Sequence, residues 1–146
     1  MAEIIISEDN SAQVLNELER KIQAALEACG NQAVSHAKQN ITAGIPRNGG
    51  SWYTPTGALR NSMTHKVSSS EQSCYVGTNM NYAVYNELGT GIYTDGGGGR
   101  KTPWVYVDDK GVAHKTRGMK PLHFLKKAIQ DHVDEYKSII ENELKK

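Results

Sequence analysis

The chain has 146 residues, with 17 Lys and Arg against 16 Asp and Glu and a formal net charge of +1 at pH 7. That length suits one domain, residues 1–146, with a modest core, and the near-neutral balance supplies no long-range field toward nucleic acid or an anionic membrane. No apolar run reaches the ~18 residues of a membrane span, and Met1-Ala2-Glu3-Ile4-Ile5-Ile6 lacks the basic start and long apolar stretch of a secretory leader.

Ile4-Ile5-Ile6 reads as a short strand, and Ser7 to Ser11 offer capping side chains. A long helix is expected from Ala12 to Thr42. Its apolar stripe is Val14, Leu18, Ile22, Ala25, Leu26, Cys29, Ala33, Ala37 and Ile41, with Glu17, Glu19, Arg20 and Lys21 on the other faces. Gly30 interrupts it at a cost of about 1 kcal/mol, which points to a bend or a close contact. Ala43 to Thr56 is a loop marked by Gly44, Pro46, Asn48-Gly49-Gly50 and Pro55, and it holds Trp52 and Tyr53. Thr56 caps a short helix that runs to Ser62. Met63–Ser69 and Ser73–Gly77 alternate around a polar turn, the pattern of a hairpin. Asn81 caps a second short helix, Tyr82 to Leu88, closed by Gly89.

The segment from Tyr82 to Pro121 is the most distinctive. Gly89, Gly91 and the run Gly96–Gly99 follow an aromatic start, and Pro103-Trp104-Val105-Tyr106-Val107 comes next. Glycine loses the most backbone entropy on ordering, so this stretch reads as a floppy loop rather than a core element. The flanking aromatics need a partner away from water. A loop that orders against another chain satisfies both. Pro103–Val107 is a strand, Asp108-Asp109-Lys110-Gly111 a turn, and Val112-Ala113-His114 the return. A last helix is expected from Leu122 to about Leu144, with Pro121 at its start. Two long helices covering an antiparallel sheet of about four or five strands give an α+β fold with extended Gly-rich loops.

Catalytic and cofactor patterns fail on spacing. Gly96 to Thr102 has Arg100 where a phosphate loop needs Gly before Lys101, and Pro103 forbids the following helix. Gly91-Ile92-Tyr93 is half of a nuclease motif whose other half is missing. The five histidines show no metal-ligand spacing, so no metal or cofactor is expected. Cys29 and Cys74 lie far apart and read as reduced thiols of a cytoplasmic protein. No Ser, Cys or Thr stands in a nucleophile context. Glu87 reads as a carboxylate that orders the following loop or pairs across a subunit boundary; a small hydrolase or nuclease would have to be built on Glu87 and His114. Arg100, Lys101, Lys115, Arg117 and Lys120 read as solvated or protein-pairing charges. Stacking of a single strand on Trp104 and Tyr106 is the nucleic-acid alternative.

Three pieces come in order: Thr56-Gly57-x-Leu59-Arg60-Asn61-Ser62, then Val76-Gly77-Thr78-Asn79-x-x-Tyr82-Ala83-x-Tyr85-x-Glu87-x-Gly89-Thr90, then Gly118-x-x-Pro121-x-x-Phe124-Leu125-x-x-Ala128. In these the chain resembles the small tail-component or neck proteins of long-tailed double-stranded DNA bacteriophages. The resemblance runs from Thr56 to Ala128; the N-terminal helix agrees only in length and character. It implies a non-enzymatic virion protein, made in the host cytoplasm and built into a homo-oligomeric ring of six- or twelve-fold symmetry at the head–tail junction. The implied partners are connector or head-closure proteins and the tail, with DNA passing non-specifically through the lumen; a tail terminator or head-closure ring is the nearest alternative. The implied interface residues are Trp52, Tyr53, Tyr82, Tyr85, Glu87, Tyr93, Arg100 and Trp104, because buried aromatics carry much of an interface's energy.

Overall fold

A computed structural model describes residues 2–5, 8–46, 52–53, 57–108 and 110–146, and of residues 45, 46, 52 and 53 the backbone alone. Its spine is helix α1, Ser11–Ala43. At ~1.5 Å per residue this helix is about 50 Å long. It starts where the Ser11 N–H donates to Asp9 Oδ1 at 3.0 Å. It stops at Gly44, whose φ of 62° lets its N–H turn back to the Asn40 carbonyl at 3.2 Å.

Small residues let other elements approach α1 closely. Ala25, Gly30, Ala33, Ala37 and Ile41 are its buried positions. Gly30 is the predicted close contact: a Cβ there would press on the His65 ring and stand 2.8 Å from Cys74 Sγ. Strands β3, Thr64–Ser68, and β4, Ser73–Gly77, thus lie directly on α1. They pair antiparallel, with His65 opposite Val76 and Val67 opposite Cys74. The turn between them places Gln72 at φ 49°.

The predicted fold class holds: a long N-terminal helix and a C-terminal helix pack with small antiparallel sheets. The sheet is divided, however. β1, Ile45–Pro46, pairs with β2, Trp52–Tyr53, and β5, Trp104–Val107, pairs with β6, Ala113–Thr116, each as a separate two-stranded unit. No ladder joins these pairs among the described residues, and α1 rather than a neighbouring strand supports β3–β4.

Helix α2, Gly57–Ser62, and helix α3, Ala83–Leu88, bring Leu59 and Ala83 to the core. The C-terminal helix is broken, contrary to expectation, into α4, Phe124–Gln130, and α5, Val133–Leu144. Asp131, His132 and Val133 are weak helix formers, and His132 is held by a contact to α1 described below. Pro121 precedes α4 by three residues, and His123, at φ 51°, stands at the helix start. The core joins Ala37 and Ile41 of α1 to Leu59, Met63, Ala83, Leu122, Phe124 and Ala128. Phe124, Ile41 and Leu59 are its largest fully buried side chains.

Two further expectations are corrected. Ile4 and Ile5 belong to no strand and are exposed, while Ile6 lies outside the described residues. The stripe on α1 is buried only in its C-terminal part. Val14 and Leu18 are exposed, while the β3–β4 turn borders a cleft with Asn16, Glu19 and Arg20. The capping role expected of Thr56 lies outside the described residues.

Candidate assembly surface

The glycine-rich segment is folded on the chain's own backbone. The Thr90 N–H donates to the Met119 carbonyl at 2.8 Å and the Ile92 N–H to the Arg117 carbonyl at 3.0 Å. The Met119 N–H donates to Thr90 Oγ1 at 2.9 Å. Gly91 and Gly118, at φ 63° and 128°, make the crossing possible, since a side chain on either would collide with the opposite main chain. Of the glycine run, Gly99 also sits in close contact, against Gly91 and Thr94, whereas Gly96, Gly97 and Gly98 face open space. The expected floppy loop is therefore tied down at both ends, and its tip is held as well: the Gly97 N–H donates to the Thr94 carbonyl at 3.0 Å and Lys101 Nζ to the Gly97 carbonyl at 2.7 Å. The β5–β6 hairpin rises from this crossing.

The structure places the expected interface residues in three groups. Tyr82, Tyr85 and Glu87 lie on or beside α3. Tyr85 is exposed, as are Val84 and Leu88 of the same helix. Tyr82 stands just before the helix and its carbonyl accepts from Asn86 Nδ2 at 3.1 Å. Glu87 has a job within the chain: its carboxylate accepts the Leu125 and Lys126 N–H groups, both at 2.9 Å, at the start of α4. Its carbonyl accepts the His123 N–H at 3.2 Å. It orders a segment 38 residues away rather than the loop that follows it.

Tyr93 forms the second group. It is half-buried in a 3-10 turn, Gly91–Tyr93, with Lys120 Nζ 6.0 Å from its ring centroid. Arg100 and Trp104 form the third: the guanidinium lies 5.4 Å from the centre of the half-buried indole. That face of Trp104 is covered by Arg100 and is not open to a nucleic-acid base. Trp52 and Tyr53 pair through their backbone with Pro46 and Ile45, and their side chains lie outside the described residues.

The hairpin carries a signal that reading it as a plain strand pair overlooked. Trp104, Tyr106, His114 and Thr116 share one face, where the Tyr106 and His114 rings stack at 5.2 Å. His114 Nε2 donates to Asp108 Oδ2 at 2.8 Å. This bond, with the Val112 N–H, holds the Asp108 carboxyl below its ordinary pKa. The opposite face presents Val105, Val107, Ala113 and Lys115, all exposed. Strand alternation alone identifies these two faces.

Among the described residues, one group of three side chains could offer metal ligands: His36 of α1 with His132 and Glu135. Glu135 Oε2 is 2.9 Å from His36 Nε2 and 3.2 Å from His132 Nδ1. The imidazoles are stacked 3.4 Å apart at an interplanar angle of 4°. The nitrogen lone pairs that would bind a metal lie in the ring planes, and two parallel, stacked planes share no point at which an ion could sit in both. The group instead fastens the α4–α5 break to α1. Tyr136 adds its ring edge to both imidazoles, and its hydroxyl donates to the Ala128 carbonyl. Burial is the main cause that pushes the Tyr136 phenol up to about 12 and raises the Cys29 and Cys74 thiols.

No curated protein and no solved structure matches the chain at a significant level. A family model does match, over residues 9–89, from the start of α1 to the glycine that closes α3. That span takes in the N-terminal helix, which the sequence motifs had left to length and character, and it ends before the glycine-rich crossing. Matched over more than half its length, the chain belongs to the family described as "Bacteriophage HK97-gp10, putative tail-component".

Proposed function

We propose that the chain, acting as one domain over residues 1–146, forms a ring at the phage head–tail junction and joins connector proteins to the tail. As a member of a tail-component family it is a viral structural protein, not an enzyme, and its partners are other phage structural proteins. The finer assignment rests on one observation: apolar and aromatic side chains stand exposed on α3 and on the β5–β6 hairpin. Tyr85, Val84, Leu88, Val105 and Val107 lie outside the core of their own chain. Exposed apolar side chains grouped on one element, as on α3 and again on the hairpin, mark a protein–protein contact. In this reading Trp52, Tyr53, Tyr82, Tyr85, Tyr93 and Trp104 act as anchors. Arg100 holds Trp104 in place and Glu87 keeps α3 registered on α4.

A ring of six or twelve copies matches the symmetry of tail tubes and portals, and its lumen would pass DNA without reading sequence. Tail terminator and head-closure rings share this chemistry and differ in the neighbours they contact. The test is electron microscopy of particles made without this gene. Filled heads and separate tails that fail to join support the junction role. Normal infectious particles overturn it.

A further inference from the structure

The described residues hold two unpartnered apolar surfaces of opposite charge. The first is the start of α1. Every residue from Ser11 to Arg20 is exposed, and Val14, Leu15 and Leu18 share one helix face at 61%, 58% and 45% exposure. Glu17 and Glu19 in this stretch, with Glu8 and Asp9 just before it, stand against the single base Arg20. Glu17 is shared with Lys21 at 3.7 Å, so Glu8, Asp9 and Glu19 leave the surface acidic.

The second surface is the outer face of the β5–β6 hairpin. Val105 and Val107 are 62% and 63% exposed, opposite Lys115 and Ala113. Lys115 lies on this face and Lys110 in the hairpin turn, while Arg100 lies over Trp104 and Lys120 beside Tyr93. Across residues 100–120 six Lys and Arg stand against the two acids at 108 and 109, so the hairpin's surroundings are basic. A lone two-stranded hairpin is marginal in water and gains stability when an apolar face is covered.

The two surfaces do not cover each other within one chain, since both are exposed in it. The hairpin is rooted at the Thr90–Met119 crossing, next to α4, whose Phe124 carbonyl accepts Asn40 Nδ2 at 3.1 Å. From Asn40 back to Arg20 the helix runs about 30 Å. Pairing like surfaces, helix start on helix start or hairpin on hairpin, would bring equal charges together, which costs affinity.

We infer that the outer face of the β5–β6 hairpin of one copy docks on the N-terminal turns of α1 of a second copy. Val105 and Val107 cover Val14, Leu15 and Leu18, and the basic rim around Lys115 faces the acidic rim of α1. Such a contact is head-to-tail: an open series keeps one free helix at one end and one free hairpin at the other, and a rotation between copies that brings these ends together closes it into a ring. This inference rests on the ring reading above and supplies its subunit contact.

Two variants separate the halves. Val107→Asp spoils the hairpin face and Leu15→Asp the helix face; both sites are exposed, so circular dichroism should match the unmodified chain. Sedimentation velocity of the unmodified chain should show concentration-dependent oligomers that weaken with added salt. Each variant alone should sediment as a monomer, with self-association weakened at least tenfold. An equimolar mixture of the two should recover dimers, because one intact hairpin then meets one intact helix. A mixture that stays monomeric while the unmodified chain assembles overturns the proposed pairing, as does a variant that assembles normally. An unmodified chain that stays monomeric at every concentration also overturns it. None of these results bears on the junction role, which is decided in particles lacking the gene.

Discussion

Gly91 and Gly118 are in direct backbone contact: a Cβ built on either would stand 2.8 Å from the Cα of the other. The contact locks the root of the hairpin to the end of α3. It exists because both positions lack a side chain and both adopt positive φ.

Gly91→Ala and Gly118→Ala should each destabilise the fold by at least about 2 kcal/mol, from left-handed strain and from displaced main chain. Gly98 faces open space without positive φ, so Gly98→Ala should change stability by less than about 0.5 kcal/mol. Urea unfolding midpoints for the three variants check this. Equal effects at all three sites would mean that the crossing carries no special constraint.

Glu87→Ala removes both acceptors at the start of α4 and should cost about 1–2 kcal/mol. Glu87→Gln keeps one acceptor oxygen and should lose roughly half as much. Amide hydrogen exchange at Leu125 and Lys126 should accelerate in the Ala variant before any change is seen at α1.

Gly30→Ala would be expected to favour an isolated helix by about 1 kcal/mol. Here the added methyl meets the His65 ring and Cys74 Sγ. His65 is itself held by Glu27 at 2.7 Å. Overpacking should therefore dominate and leave the variant about 1–3 kcal/mol less stable. A rise in the unfolding midpoint would show that β3–β4 yields to α1 at little cost.

The Tyr136 phenol is raised to about 12, first by burial and then by the Glu135 charge. A phenol raised in the folded state favours folding below the unfolded value of ~10 and loses that contribution as pH rises through the folded value. Stability should thus fall between about pH 10 and 12, with the phenolate absorbance of one tyrosine appearing late. Tyr136→Phe should be about 1 kcal/mol less stable at neutral pH, from the lost bond to Ala128. It should also show a shallower alkaline loss.

Local rules made much of the fold legible. The 3.6-residue period set α1 to within a residue at each end, and strand alternation around a polar turn located β3–β4, β5 and the start of β6. Gly89 ended α3 as expected. Glu87 was recognisable as an ordering carboxylate, but its target, 38 residues away, was not. Tyr82 and Tyr85, exposed at α3, were named from residue type, as was Trp104 of the hairpin, which is half-buried, whereas the exposed Tyr106 was not named as an interface residue. Nor were the exposed valines of the hairpin's outer face, since alternation marks two faces without saying which is covered.

What the sequence by itself determined is the set of elements with local causes: the periodic helix, the alternating strands and the glycine breaks, each dictated by neighbours a few residues apart. Only the tertiary structure decided three long-range matters. The stacking of His132 on His36 accompanies the break in the C-terminal helix. Gly91 and Gly118 convert a flexible-looking loop into a tied crossing. The first turns of α1 remain bare although their apolar stripe matches that of the buried turns. An amphipathic stripe records that a face seeks cover, whereas the element that supplies it is fixed by packing among residues remote in the chain.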